Sequence, residues 1–440
     1  MEFVKHIQEK NISTYEELSE YLSGDEFKIR LKIDTKYPDL CTCCHDENTK
    51  KESSLYGYTN GLVFKKSDLT VVCHSFDKML EREDYVLDES IDIDNAHYEY
   101  ILEGTLIRVW KYNDELMVST KRCINAKRSK WISEKSFYEL FMEAMENFNF
   151  ENIQNGYTYS FLLTHPENNM VVQYSVPKAY HIGTRNMSTL LEENVVLEGI
   201  DRVPIENVNK DTYQKHIETL KNNEIYGIEG FALVDKNFRR QKFVSVAYEK
   251  AKELYGNTNS KMYKFFNLRK DVSKLDEYLN MFPQDSQVFN GYEYNFYQIA
   301  IQIHKLYVTK FIRKPKDTDG NQLVVPVPYY LKKIVYGLHS DFITNRVQTT
   351  IEKVLKKMSE QDVNLQCYIY NKMVNGAQNG HPITYETIMN NAFVPKKKEE
   401  TNDGIVVLEG VSVEIVSEQT DVTTDVTTDV TTDVTTDVTA

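Results

Sequence analysis

The sequence predicts an α+β protein: antiparallel strands flanked by helices over residues 1–255, an all-α segment over 256–394, and a disordered acidic repeat tail over 395–440. Three observations carry this. Short β-branched runs crowd the stretch from Tyr56 to Val118. After Tyr255 the apolar residues recur at helical spacing, best in Phe296–Leu306. The last residues repeat Asp-Val-Thr-Thr, which has no large apolar group with which to build a core. Val and Thr favour strands, so a β-prone stack is the alternative for that tail.

The elements follow in order. Thr14 with Glu17 three residues on forms a capping box for a short helix ending near Gly24. Phe27–Ile33 alternates apolar and charged residues, as a half-buried strand does. Strands are predicted at Gly61–Phe64, Leu69–Cys73, Thr105–Trp110 and Leu116–Thr120, the last two joined by a hairpin turn at Tyr112-Asn-Asp114. Phe137, Leu140, Phe141, Ala144, Met145 and Phe148 share one face of a helix over 133–148. Strands resume at Thr158–Leu163 and Met170–Tyr174, a helix covers 209–222, and a strand pair spans Gly230–Val234 and Gln241–Val246. A Pro-, Gly- and Asp-rich insert at 314–328 interrupts the helices of the second segment.

The net charge is −14, and Asp421, Asp425, Asp429, Asp433 and Asp437 place five of those charges in the tail. Bulk charge therefore does not advertise nucleic-acid binding, and any such site must be a local basic patch. No apolar run reaches the length of a membrane span and Met1–Lys10 lacks a signal pattern, so a cytoplasmic protein without a membrane partner is expected. Six cysteines in 440 residues read as reduced thiols. Cys41, Cys43, Cys44 and His45 are too cramped for tetrahedral zinc and read as a loop after the Pro38-Asp39 turn, so no metal is expected.

Several motifs occur in one colinear order. They begin with Tyr58-Thr-Asn-Gly-Leu-Val-Phe64 and Val72-Cys-His-Ser-Phe-Asp-Lys78, then Ile101-Leu-Glu103-Gly104-Thr105 and Ser119-Thr-Lys121-Arg-Cys-Ile-Asn125. Tyr159-Ser-Phe-Leu162, His181-Ile-Gly-Thr-Arg185-Asn186, Ile228-Glu229-Gly230 and Gln241-Lys242-Phe-Val244 follow, with Tyr329–Ser340 farther on. This order resembles the phage and viral type of ATP-dependent RNA ligases, relatives of DNA ligases and mRNA capping enzymes. The resemblance spans roughly 50–250, with a weaker echo to about 390, and implies a nucleotidyltransferase fold. Together with a Lys-, Asn-, Ile- and Tyr-rich composition it implies a large DNA virus as the source.

The resemblance breaks at chemically decisive places. The family's nucleophilic lysine falls at Ile101, and an aliphatic side chain has no lone pair to attack an α-phosphate. Asn60 stands for an arginine, Leu162 for an acid on the nucleotide sugar, and Val244 for a phosphate-gripping lysine. By resemblance, Glu103, Gly104, Lys121, Glu229 and Lys242 are what remains of the nucleotide pocket, Glu229 as the metal-associated acid. Ile101 then reads as a strand core residue in a cleft partly filled by hydrophobic packing. Neither Lys111 nor Lys121 is placed to take over.

Basic groups remain. Lys121, Arg122, Lys127, Arg128 and Lys130 form one and Lys236, Arg239, Arg240 and Lys242 a second, both flanking the cleft that faces nucleic acid in the family. Lys310, Arg313, Lys314 and Lys316 form a third. The expected function is a catalytically degenerate RNA-ligase-like protein that binds RNA or a protein partner in a viral RNA-processing or translation assembly. It would use no cofactor and show no DNA specificity. The competing expectation is an active ligase using ATP and Mg²⁺.

Overall fold

The computed structural model describes residues 1–82, 85–222, 227–376 and 382–394, without the side chains of Lys210 and Asp211. The tail expected to be disordered, 395–440, lies outside the described residues. A first compact unit covers Met1–Glu253 and a second begins at Leu254. Among the described residues no helix is long and apolar enough to cross a membrane.

The first unit opens with α1 (Glu2–Glu9) and α2 (Tyr15–Ser23), the latter closed by the expected Thr14–Glu17 capping box. A four-stranded sheet follows, in the order β1 (Arg30–Ile33), β2 (Leu40–Cys44), β3 (Val63–Lys65) and β4 (Val71–Cys73), with α3 (Tyr56–Thr59) before β3. The first strand is shorter than the alternation predicts, because Phe27 and Ile29 lie buried before the ladder begins. The cysteine segment is a strand and not a loop. Cys41 and Cys43 alternate inward against α1 and α2, while Leu40 faces Trp110 and Met117 on the opposite side. Burial pushes the Cys41 thiol up to about 12.

Next come β5 (Leu80–Glu81), β6 (Ala96–Ile101), β7 (Thr105–Tyr112), β8 (Glu115–Ser119), α4 (Phe137–Ala144), β9 (Tyr157–Thr164), β10 (Lys178–Asn186) and β11 (Leu191–Glu193). They are followed by β12 (Ile205–Asn207), α5 (Lys210–Asn222), β13 (Gly230–Asp235), β14 (Arg240–Val244) and α6 (Val246–Tyr255). These strands form two five-stranded sheets, β11-β10-β9-β7-β8 and β12-β6-β13-β14-β5. The β7–β8 hairpin turns on Asn113 and Asp114, both at positive φ. α4 is shorter than 133–148, because Ser136 and Glu139 form a capping box that starts it. It packs on β7, β9 and β10 through Phe137, Leu140 and Phe141.

The second unit holds α7 (Lys261–Leu268), α8 (Val272–Met281), α9 (Ser286–Tyr307), α10 (Tyr329–Asn345), α11 (Ile351–Ser359), α12 (Val363–Tyr370) and α13 (Tyr385–Met389). α9 is the longest, and it is buried through Phe289, Phe296, Ile299, Ala300 and Ile303. A π-helical turn, Val308–Arg313, extends it. Among the described residues of this unit, β structure is limited to isolated bridges such as Val324 with Phe393.

Candidate functional site

The motif centred on Gly104 is the crossing point between the two five-stranded sheets. β6 ends at Ile101 in one sheet and β7 begins at Thr105 in the other. Gly104 sits where β9 comes closest, and a Cβ there would lie 2.7 Å from the Leu163 carbonyl oxygen and 3.0 Å from Leu162 Cδ1. Only glycine permits that approach. Gly230 is more constrained still, since a Cβ would meet the Phe243 carbonyl oxygen at 2.0 Å.

The two faces of the β6–β13–β14 sheet differ in chemistry. Tyr98, Phe231, Leu233 and Phe243 face α5 and pack on Tyr213, Ile217 and Leu220. The registers Glu99↔Ala232↔Lys242 and Ile101↔Gly230↔Val244 place the other parity on the opposite face. Ile101 is buried there with Ala232, Val234 and Met79. A cavity of about 30 Å³ lies beside it, walled by Phe76, Met79, Ile101, Leu162, Ala232 and Arg240. That is room for a water molecule or two, against roughly 300–1,000 Å³ for an ordinary ligand pocket. The structure thus brings Ile101 and Leu162 to one wall. Val244 is half-buried one strand beyond Gly230 and does not line the cavity.

The acidic motif residues are held by the protein itself. Glu103 accepts backbone N–H groups from Met170, Val171 and Val172 at 3.0–3.4 Å and the Tyr248 hydroxyl at 3.0 Å. Tyr174 donates its hydroxyl to the Glu103 carbonyl at 2.8 Å. Burial pushes the Glu103 carboxyl above its ordinary range, against the pull of those donors. The segment 170–174 is consequently not the strand its β-branched residues predict, because the N–H groups of Met170, Val171 and Val172 point at one carboxylate and that of Tyr174 at the Asn169 side chain, not along a ladder. Glu229 lies 2.7 Å from Lys242 Nζ, with the side chains 1% and 0% exposed. Burial pushes its carboxyl up too, opposed first by Lys242.

Gly61, the residue after Asn60, packs against Lys121. Gly61 (φ +79°) lies so close that a Cβ would be 3.0 Å from Lys121 Cα. The fully buried Arg108 fixes both loops, donating to the Gly61 carbonyl and, at 2.5 Å, to the Thr120 carbonyl. Arg122 donates to the His45 carbonyl at 2.9 Å. Lys127, Arg128 and Lys130 are exposed, with Lys127 over the Tyr138 ring at 4.4 Å, Arg128 on Thr35 and Asp34, and Lys130 on Glu134. Arg239 donates to the Ser90 carbonyl at 2.6 Å. Arg240 is buried on Glu192, at 2.7 Å from Oε2, and is not presented to solvent. Glu192 also meets Arg185, which donates to the Ser75 carbonyl and Asp77 as well.

Sequence reasoning missed Arg108, Tyr248 and Glu192. Arg108 carried a signal, a charge inside the apolar run Leu106–Trp110 that a strand must bury and satisfy. The other two act across the fold and had none.

No family model matches this chain. It is similar to an immediate-early protein ICP-46 homolog of Invertebrate iridescent virus 3, 24% identical over 212 residues, 46% of each chain. A putative bifunctional polynucleotide kinase/RNA ligase of Autographa californica nuclear polyhedrosis virus is 24% identical over 237 residues, 48% of this chain and 33% of that one. The chain thus spans about half the length of the first relative and a third of the second. Among solved structures, an archaeal ATP-dependent RNA ligase is 10% identical, with 80% of this chain and 92% of that one covered and a TM-score of 0.37.

Proposed function

We propose that this chain is an RNA-ligase-like protein that binds RNA and does not form a covalent nucleotidyl-lysine. The observation that carries the reading is Ile101. It occupies the nucleophile's place in the motif and lines, with Leu162, Phe76 and Met79, a cavity of about 30 Å³. The residues present do not fit ATP. The space is too small by an order of magnitude, and its wall is largely apolar where a triphosphate needs charge-assisted donors. Lys242, a buried amine in this region, has its Nζ held on Glu229. Glu103 is engaged by backbone and Tyr248, so neither acid is turned toward a ligand. The similarity to a viral polynucleotide kinase/RNA ligase supports RNA as the class of ligand.

The test is incubation of the full chain with α-labelled ATP and a divalent metal, followed by a denaturing gel. No labelled adduct is expected. A labelled band that disappears when Lys242 or Lys121 is changed to alanine would establish the active-ligase reading instead.

A further inference from the structure

In the second unit, the end of α9 and the first turns of α10 meet as a surface that alternates rings and cations. The π-helical turn carries Lys310, Phe311 and Arg313, and Lys314 follows it at φ 48°. Phe311 stacks on His339 of α10 at 3.8 Å and 12°, and meets Tyr336 edge-on at 5.9 Å. Lys310 Nζ lies 5.9 Å from the Tyr336 ring, and Lys332 Nζ 5.7 Å from the Tyr329 ring. On α10, Tyr329, Lys332 or Lys333, Tyr336, His339 and Ile343 recur every three or four residues, so they form one stripe. Tyr329 is 86% and Tyr336 45% exposed. Such flat apolar area left open to water marks a binding surface.

Charge decides the partner. Lys310, Arg313, Lys314, Lys316, Lys332 and Lys333 form no ion pair with a carboxylate among the described residues. Of the basic residues that flank the first unit's site, Arg128, Lys130 and Arg240 are paired with acids and Lys127 lies over the Tyr138 ring at 4.4 Å. In a chain of net charge −14, the exposed Arg313, Lys314, Lys316, Lys332 and Lys333, with Lys310 donating to the Val325 carbonyl at 2.6 Å, gather positive charge on the π-helical turn, the residues after it and α10. Single-stranded nucleic acid meets both features at once. Its phosphates neutralise the cations and its unstacked bases lie on the rings. An acidic peptide would use the cations and leave Tyr329 and Tyr336 idle.

We infer that this α9–α10 surface is a binding platform for single-stranded RNA, and that it dominates over the basic groups of the first unit. The inference rests on the proposed RNA-binding reading and assigns it a place. The test is fluorescence anisotropy of the full chain with a labelled single-stranded RNA of about twenty nucleotides. K332A/K333A is expected to weaken binding about tenfold and to lower the salt slope by about 1.4, as loss of two phosphate contacts requires. Y329A/Y336A is expected to weaken it by roughly 30-fold or more with the slope unchanged, because stacking releases no counterions. K127A/R128A is expected to bind as the unmodified chain does. Binding that survives both second-unit variants but falls with K127A/R128A overturns the placement and leaves the RNA-binding reading standing. Equal affinity for duplex RNA also overturns the platform. No binding of any RNA overturns both.

Discussion

Changing Glu103 to alanine tests whether this motif acid is a structural lock. Its carboxylate accepts three backbone N–H groups and the Tyr248 hydroxyl, and the residue is 3% exposed. Each buried donor left without an acceptor costs about 1–3 kcal/mol. Water entering the vacated space recovers part of that, so the net loss is about 4 kcal/mol, in the range found when one member of a buried charged set is removed. Glu103→Gln keeps the volume and one carbonyl oxygen, and its amide turns a donor toward donors, so about 2 kcal/mol is expected. Urea unfolding followed by tryptophan fluorescence reads this directly. The chain has two tryptophans, Trp110 and Trp131, both buried in the first unit, so the signal follows that unit alone. The 170–174 segment should also become sensitive to protease in the alanine variant, since Glu103 anchors its N–H groups. If both variants unfold within about 1 kcal/mol of the unmodified chain, Glu103 is not holding the fold and the lock is refuted.

Two further outcomes follow. Ile101→Lys restores an amine to the motif but places it in an apolar cavity of about 30 Å³. It should cost about 4 kcal/mol and yield no labelled adduct with α-labelled ATP, and an adduct would show that the cleft opens to nucleotide. His74 and His181 are buried, and burial lowers each to about 4 from 6.5. The folded state therefore binds fewer protons than the unfolded one between those values, so the stability present above pH 6.5 is lost as pH falls toward 4. With both titrating, the slope is up to about 2.7 kcal/mol per pH unit. A tryptophan-monitored urea midpoint that stays flat from pH 6.5 to 4.5 would exclude this.

Local chemistry made much of the fold legible. The Thr14–Glu17 box, the Asn113-Asp114 turn and the inward faces of β7 and β9 are each fixed by residues within a few positions of one another. The failures share a cause. Met170–Tyr174 has strand-forming residues, but Glu103, some 67 positions away, captures its N–H groups. Cys41–Cys44 looks like a loop by composition, yet pairing with Leu31–Ile33 and with Phe64 makes it a central strand. The candidate site divides the same way. That Ile101 and Leu162 share a wall followed from motif order, whereas the place of Val244 depended on which strand edge it reached. Phe76 and Met79 gave no sign in the sequence that they would fill the space.

The distribution of satisfied charge links the two units' chemistry. In the first unit the buried groups around the motif are closed among themselves: Glu229 with Lys242, Arg240 and Arg185 with Glu192, and Glu103 with backbone and a tyrosine. A site that turns over a nucleotide must hold charges in reserve for phosphates and metal, because preorganised but uncommitted dipoles supply the stabilisation. Here these groups are engaged with one another. In the second unit, Arg313, Lys314, Lys316, Lys332 and Lys333 are exposed and have no carboxylate partner among the described residues, and Tyr329 and Tyr336 of α10 are exposed. Exposed like charges repel one another, which is the ground for proposing an anionic partner at this patch. The two observations are independent, because each rests on contacts within its own unit, and together they are the ground on which binding is proposed over covalent chemistry.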